Sequence, residues 1–203
     1  MRRRKPMRHR TLPLIVIAAA LTTGCHPAMT TQTERIQPPP ETLAVPLRFG
    51  RHNFEAHCYS TLSCKVVYDN FEFTPYYIDT PAPAPSSPNY RATWNNASYI
   101  GIDNFPAPAD VQWKSLDGVP HEAKVDMAAI FKDQLIWHKV PKSDMADFYH
   151  GPVAGAPNIF LEVNDRTINV YMEMLIPTKT EQIPGNKYSN GRDDLFLVWT
   201  RTY

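Results

Sequence analysis

Two stretches of apolar alternation dominate the second half of the chain. Ile159, Leu161 and Val163 share one parity, as do Ile168, Val170, Met172 and Met174, and a period of two places each set on one face of a β-strand. Strands over 159–163 and 167–176 follow, with Asn164-Asp165, a pair that tolerates positive φ, predicting a tight hairpin between them. Residues 195–200 are apolar at nearly every position, which suits a central strand covered on both faces. Upstream, 47–54 and 65–78 are rich in aromatic and β-branched residues and predict two more strands, Pro75 placing a bulge or an edge in the second. Residues 98–102 and 111–115 add strands, and Asp117-Gly118 turns the chain into another over 121–125. Helix signals are few: Asp126 can cap a short helix over 127–133, and Ser143 one over 143–149. Four prolines at 81, 83, 85 and 88 make 80–88 a stiff exposed connection. The expected fold is α+β, a single β-rich domain with an antiparallel sheet or sandwich and two short helices.

The first 46 residues do not share this pattern. Arg2, Arg3, Arg4, Lys5, Arg8 and Arg10 precede an apolar run over 12–21 and then small residues, the three parts of a secretory signal. Ten apolar residues fall short of the roughly 20 a helix needs to span a bilayer, so residues 1–24 read as a cleaved leader. Thr22-Thr23-Gly24-Cys25 closes it in the manner of a lipoprotein signal, with Thr22 where Leu is usual, and makes Cys25 the expected lipid-bearing residue. Residues 25–46 are polar and Pro-rich, with Pro38-Pro39-Pro40 at their middle, and predict a tether ahead of a globular domain over 47–203. The expected location is the cell envelope, lipid-anchored at the outer membrane with the domain in the periplasm.

Removing the leader alters the charge. The whole chain carries 21 basic and 20 acidic side chains; without the leader's six Lys/Arg the balance is 15 against 20, a net of −5. Nucleic acid is thereby disfavoured as a partner. Three cysteines are awkward in an oxidising compartment. If Cys25 is acylated, Cys58 and Cys64 are left as a pair that a disulfide can close. A metal site from His57, Cys58 and Cys64, with His52, is the competing reading, short of the closed ligand set that structural zinc needs.

Catalytic signatures are missing from the text: it has no G-x-S-x-G, H-E-x-x-H, P-loop or G-x-G-x-x-G. No cofactor and no enzyme activity are expected. Phe148, Tyr149 and Tyr188 fall in predicted loops among charges, including Asp144, Asp147, Arg192 and Asp193, a mixture that protein interfaces favour. These seven are the candidate partner-binding residues.

From about Phe105 onward several blocks carry a resemblance. They are Ser115-Leu116-Asp117-Gly118, Val125-Asp126-Met127-Ala128-Ala129-Ile130-Phe131-Lys132-Asp133, Ile159-Phe160-Leu161-Glu162-Val163-Asn164-Asp165-Arg166-Thr167-Ile168-Asn169-Val170-Tyr171-Met172 and Asp194-Leu195-Phe196-Leu197-Val198-Trp199-Thr200. This text resembles small proteobacterial lipoproteins encoded beside type VI secretion lipase effectors, which serve as their immunity proteins. The resemblance implies a cognate secreted lipase effector as protein partner, a membrane contact through the lipid on Cys25, and inhibition by blocking substrate entry.

Overall fold

The computed structural model describes residues 33–94 and 96–203, with side chains from Ile36 onward. The leader, Cys25 and the first part of the expected tether lie outside the described residues. Chain order runs β1 (Thr33–Arg35), α1 (Pro40–Ala44), β2 (Leu47–Arg48), β3 (Arg51–Tyr59), β4 (Thr61–Tyr68), β5 (Phe71–Glu72), β6 (Tyr99–Asp103), β7 (Ala109–Ser115), β8 (Pro120–Val125), α2 (Met127–Ile130), β9 (Leu135–Ile136), β10 (Asn158–Asn164), β11 (Thr167–Glu173), β12 (Ile176–Pro177), β13 (Gly191–Arg192) and β14 (Phe196–Thr202). The β-rich α+β class holds. One sheet has the order β1-β14-β11-β10-β3-β6 and a second β5-β4-β7-β8, with two-residue ladders β2-β9 and β12-β13 at the margins. Pairing is antiparallel except at the centre of the larger sheet, where β3 and β10 run parallel.

Alternation explains how the sheets meet. On β3, His52, Phe54, Ala56 and Cys58 are buried; on β7, Ala109, Val111, Trp113 and Ser115 are. With Cys64 and Val66 of β4 and Ile159, Leu161, Val163, Ile168 and Val170 from the β10–β11 hairpin, the apolar members of both sets form one core cluster. The chain crosses between the sheets at a single residue, Ser60, whose φ of 52° makes the corner. Across that corner the Cys58–Cys64 disulfide ties the larger sheet to the smaller, its Cα atoms 6.4 Å apart. Such a cross-link stabilises chiefly by restricting the unfolded chain. A second tie joins the two hairpin turns: Trp113 Nε1 donates to Asp165 O at 2.7 Å, and Leu116 N donates to the Asp165 carboxylate at 2.9 Å. Asp165 sits at φ 50°, as the turn reading requires.

Several elements differ from expectation. The stretch 65–78 is not one strand, because Asp69 and Asn70, at φ 49° and 60°, fold it back as β4–β5 before a 3₁₀ turn over Pro75–Tyr77. A turn with both central residues at positive φ matches the strand twist. Residues 143–149 form no helix. Asp144 and Met145 both donate to Pro141 O at 3.0 Å, one turn's worth, and the chain then bridges to Thr178 while Met145 is buried in the core. The second short helix is α1, where Pro40 opens the first turn with its missing N–H at no cost. The other is the expected one: Asp126 accepts from Ala129 N at 3.0 Å. The doubly covered strand is β10, buried at every position from Asn158 to Val163, while β14 lies next to the sheet edge with β1 beyond it.

Candidate functional site

Three places in the fold gather polar and aromatic side chains. The first is the outer face of the larger sheet. A 3₁₀ turn over Tyr90–Thr93 lies across it, with Tyr90, Trp94 and Ala97 packed on Phe160 and Tyr171. Beneath the turn the Glu162 carboxylate is fully buried. It accepts from Tyr90 Oη, from Arg91 Nη2 at 2.9 Å, from Asn169 Nδ2 at 2.8 Å and from Tyr171 Oη at 3.3 Å. The Arg91 guanidinium lies over Tyr90 at 4.5 Å and Tyr171 at 5.0 Å. Burial, reinforced by the Glu162 carboxylate, pushes both tyrosine hydroxyls well above their ordinary range. Both oxygens of Glu162 are thus engaged by the protein itself, Oε1 by Tyr90 and Oε2 by Arg91, Asn169 and Tyr171, and the carboxylate pins the 3₁₀ turn to the sheet.

The second place is the turn between β7 and β8. Ser115 Oγ lies 2.9 Å from His121 Nε2 and donates to Asp117 Oδ1 at 2.5 Å. The residue types are those of a nucleophile relay, but the connectivity is not, since the carboxylate meets the serine instead of orienting the far side of the imidazole. Ser115 is also fully buried, and its own N–H closes the turn on Val119 O at 3.1 Å. The trio fastens a hairpin. Burial and the nearby Arg166 hold the His121 imidazole below its ordinary value.

The third place collects the sequence-predicted residues. Asp144 accepts from Thr180 N at 3.0 Å and Thr180 Oγ1 at 2.8 Å, and Lys179 N donates to its carbonyl at 2.7 Å. Residues 144–146 thereby become a third line beside the β12–β13 ladder. Arg192 on β13 donates to both Asp194 oxygens, from Nε at 3.1 Å and Nη2 at 2.8 Å. That pairing holds its guanidinium above the ordinary value, with Glu41 and Asp144 adding their charge. Asp193 is exposed and faces Glu173; burial and then the Asp193 charge push the Glu173 carboxyl up to about 7. Phe148 and Tyr149 meet edge to face at 5.2 Å and are half-buried against the main core. Asp147 is exposed beside them. Asp144, Arg192 and Asp193 therefore meet around one ladder, which here is a charged ledge.

Tyr188 belongs to the loop that the ladder carries. It is 81% exposed, and Ile183 of the same loop is 59% exposed. Leu175, at the foot of the hairpin, is 60% exposed and lies across Gly191, where any Cβ would meet its Cδ1 at 2.7 Å. The sequence reading missed Leu175, Ile183 and Glu173. An isolated apolar residue within a Pro, Gly and Asn-containing stretch was the available signal for Ile183. It missed Glu162 as well, since Phe160 and Tyr171 on the outward parity were the only hint that the outer face is covered.

His52 and His57 are not brought together as ligands. The His52 imidazole contacts Asn104 Oδ1 at 2.7 Å and Tyr68 Oη at 3.1 Å, while His57 stacks on Trp94 at 4.5 Å on the other face of β3. The metal reading of Cys58 and Cys64 gives way to their disulfide. Among the described residues no helix is long and apolar enough to cross a membrane. No known family model, curated protein or solved structure matches this chain.

Proposed function

We propose that this protein is a lipid-anchored periplasmic immunity protein that binds and inhibits a cognate type VI secretion phospholipase effector, and that it performs no catalysis of its own. The leader ending at Cys25 and the resemblance of the 115–133 and 159–172 blocks support this reading. The observation that carries it is the hairpin over residues 176–192, which holds large apolar side chains in water beside a charged ledge. Exposed apolar groups rimmed by polar ones mark protein contacts. Tethering would concentrate such a binder at the membrane that the toxin attacks.

A second reading, an assembly lipoprotein that binds another envelope protein, is favoured by β6. It ends the larger sheet, exposes Ile100 and packs its Tyr99 against the exposed Phe71, and an open edge can pair with an added strand. The test is periplasmic co-expression of the full chain with the product of the neighbouring gene. The immunity reading expects survival, co-purification and loss of phospholipid hydrolysis. Survival no better than with an empty vector, together with no co-purification, would overturn it.

A further inference from the structure

The hairpin over residues 176–192 combines three properties that ordinary surface loops rarely share. Its tip is apolar and exposed, through Ile183 and Tyr188, with Leu175 at its foot. Its backbone is closed on itself: Thr178 N donates to Asn190 O at 2.9 Å, Gln182 N to Ser189 O at 2.7 Å, Asn186 N to Ile183 O at 3.0 Å and Ser189 N to Asn186 O at 2.9 Å. Side chains complete the closure, with Gly185 N donating to the Glu181 carboxylate at 3.0 Å and Tyr188 N to Asn186 Oδ1 at 3.1 Å. Its base carries carboxylates, Asp193 and Asp147 in water and Glu173 half-buried behind Asp193.

Resting on the function proposed above, we infer that this hairpin enters the substrate cleft of the phospholipase and imitates a phospholipid. A cleft that binds phospholipid must offer an apolar slot to an acyl chain and cationic groups to a phosphate. The hairpin presents a matching pair, the exposed Ile183 and Tyr188 at its tip, with the Lys187 ammonium over the tyrosine ring, and carboxylates at its foot. Because the loop is ordered before it binds, little conformational freedom is lost on insertion.

The experiment uses the purified full chain, the phospholipase encoded beside it and a soluble short-chain phospholipid as competing substrate. Inhibition is expected to be competitive with that substrate. Ile183→Asp combined with Tyr188→Asp is expected to weaken binding by about 100-fold, the scale of a lost hot spot. Tyr188→Ala alone, the milder change, is expected to weaken it by about 10-fold. Asp193→Asn with Asp147→Asn is expected to weaken it by about 3- to 10-fold and to flatten its salt dependence. Ile100→Asp on the β6 edge is expected to change nothing.

The outcomes separate the two readings. A wild-type chain that inhibits, with the tip variants inhibiting equally, overturns the hairpin assignment and leaves the immunity function standing. Inhibition that is complete but indifferent to substrate concentration overturns the mimicry. A wild-type chain that neither binds nor inhibits overturns the immunity function, and the mimicry with it. In that case vesicles of phosphatidylglycerol and phosphatidylethanolamine decide what the tip does, and binding lost in the double variant assigns it to the bilayer.

Discussion

The turn over Tyr90–Thr93 and the hairpin over residues 176–192 are built from the same chemistry and do opposite things with it. Each sets a cation over a tyrosine: Arg91 lies 4.5 Å from the Tyr90 ring, and Lys187 lies 5.0 Å from the Tyr188 ring. In the first, the cation is also paired to a carboxylate that is wholly buried and accepts from four donors. In the second, the tyrosine stands 81% exposed and the hydrogen bonds about the tip run within the loop, while the stem is tied to Asp144. The difference lies in what stands behind each. Phe160 and Tyr171 give the 3₁₀ turn an apolar sheet face to cover, and any polar group carried there must be satisfied or cost stability. The hairpin is closed by its own main chain and has no such face, so its apolar side chains remain available. Dense pairing marks architecture in this molecule, and ordered exposure marks the surface that the proposed function would use.

The strongest way to break that comparison is to remove its buried carboxylate. Glu162→Ala leaves Arg91, Asn169 and two tyrosine hydroxyls without their acceptor. Breaking one side of a buried pair costs about 3 to 5 kcal/mol, and the lower end is expected because Arg91 is about one-third exposed. Thermal unfolding measures the loss, and Trp94 fluorescence should report the turn lifting from the sheet. Unchanged stability would mean that the carboxylate is held there for chemistry.

Next in size is the Cys58–Cys64 bond, which belongs to the architectural side. Its short loop predicts a loss of about 2 kcal/mol for the double alanine variant on the chain-entropy account. The sheets remain tied through Trp113 and Asp165. Partner binding at low temperature should therefore persist, since the hairpin does not depend on the corner. Loss of binding in a folded variant would place the interface on the disulfide side.

How far the two regions were legible in the sequence follows from the same physics. Alternation identified the β10–β11 hairpin, because a strand with one face on the core writes period two into its side chains, while β7 and β8 followed from strand-like residues joined by the Asp117-Gly118 turn. It did not reveal β10 as the doubly covered strand, because the cover comes from Tyr90 and Trp94, some seventy residues away along the chain. The Ser143 signal predicted a helix where Asp144 instead satisfies Thr180, a partner 36 residues further along the chain. Charged and aromatic residues in loops were enough to point to Asp144, Arg192, Asp193 and Tyr188. Their gathering around one ladder depends on register, which local sequence does not encode.

Glu173 sharpens the comparison at its border, being an acid of the ledge that is half-buried. Its folded value of about 7 stands above the ordinary 4.5. Charging it is therefore disfavoured in the native state. The stability it contributes is full below about pH 4.5 and is lost as pH rises through about 7. Glu173→Gln should remove that slope and leave the protein more stable at pH 8 by about 1 to 2 kcal/mol, discounted for partial solvation. Denaturant titrations at pH 5 and pH 8 measure it. A variant with the wild-type slope would assign the pH dependence elsewhere.

The smallest effect on stability is expected where the effect on binding is large. Tyr188 touches little of its own protein: its ring meets Lys187, and its N–H donates to Asn186 whatever side chain it bears. Tyr188→Ala should leave the unfolding free energy within about 0.5 kcal/mol of wild type, as an exposed position does. Hydrogen exchange at Asn186 and Ser189, whose amides close the loop, should likewise be unaltered. Faster exchange there would show that the ring helps to order the hairpin. A fall in affinity would then no longer distinguish a lost anchor from a loosened loop, and the contrast with the Glu162 cluster would narrow to one of degree.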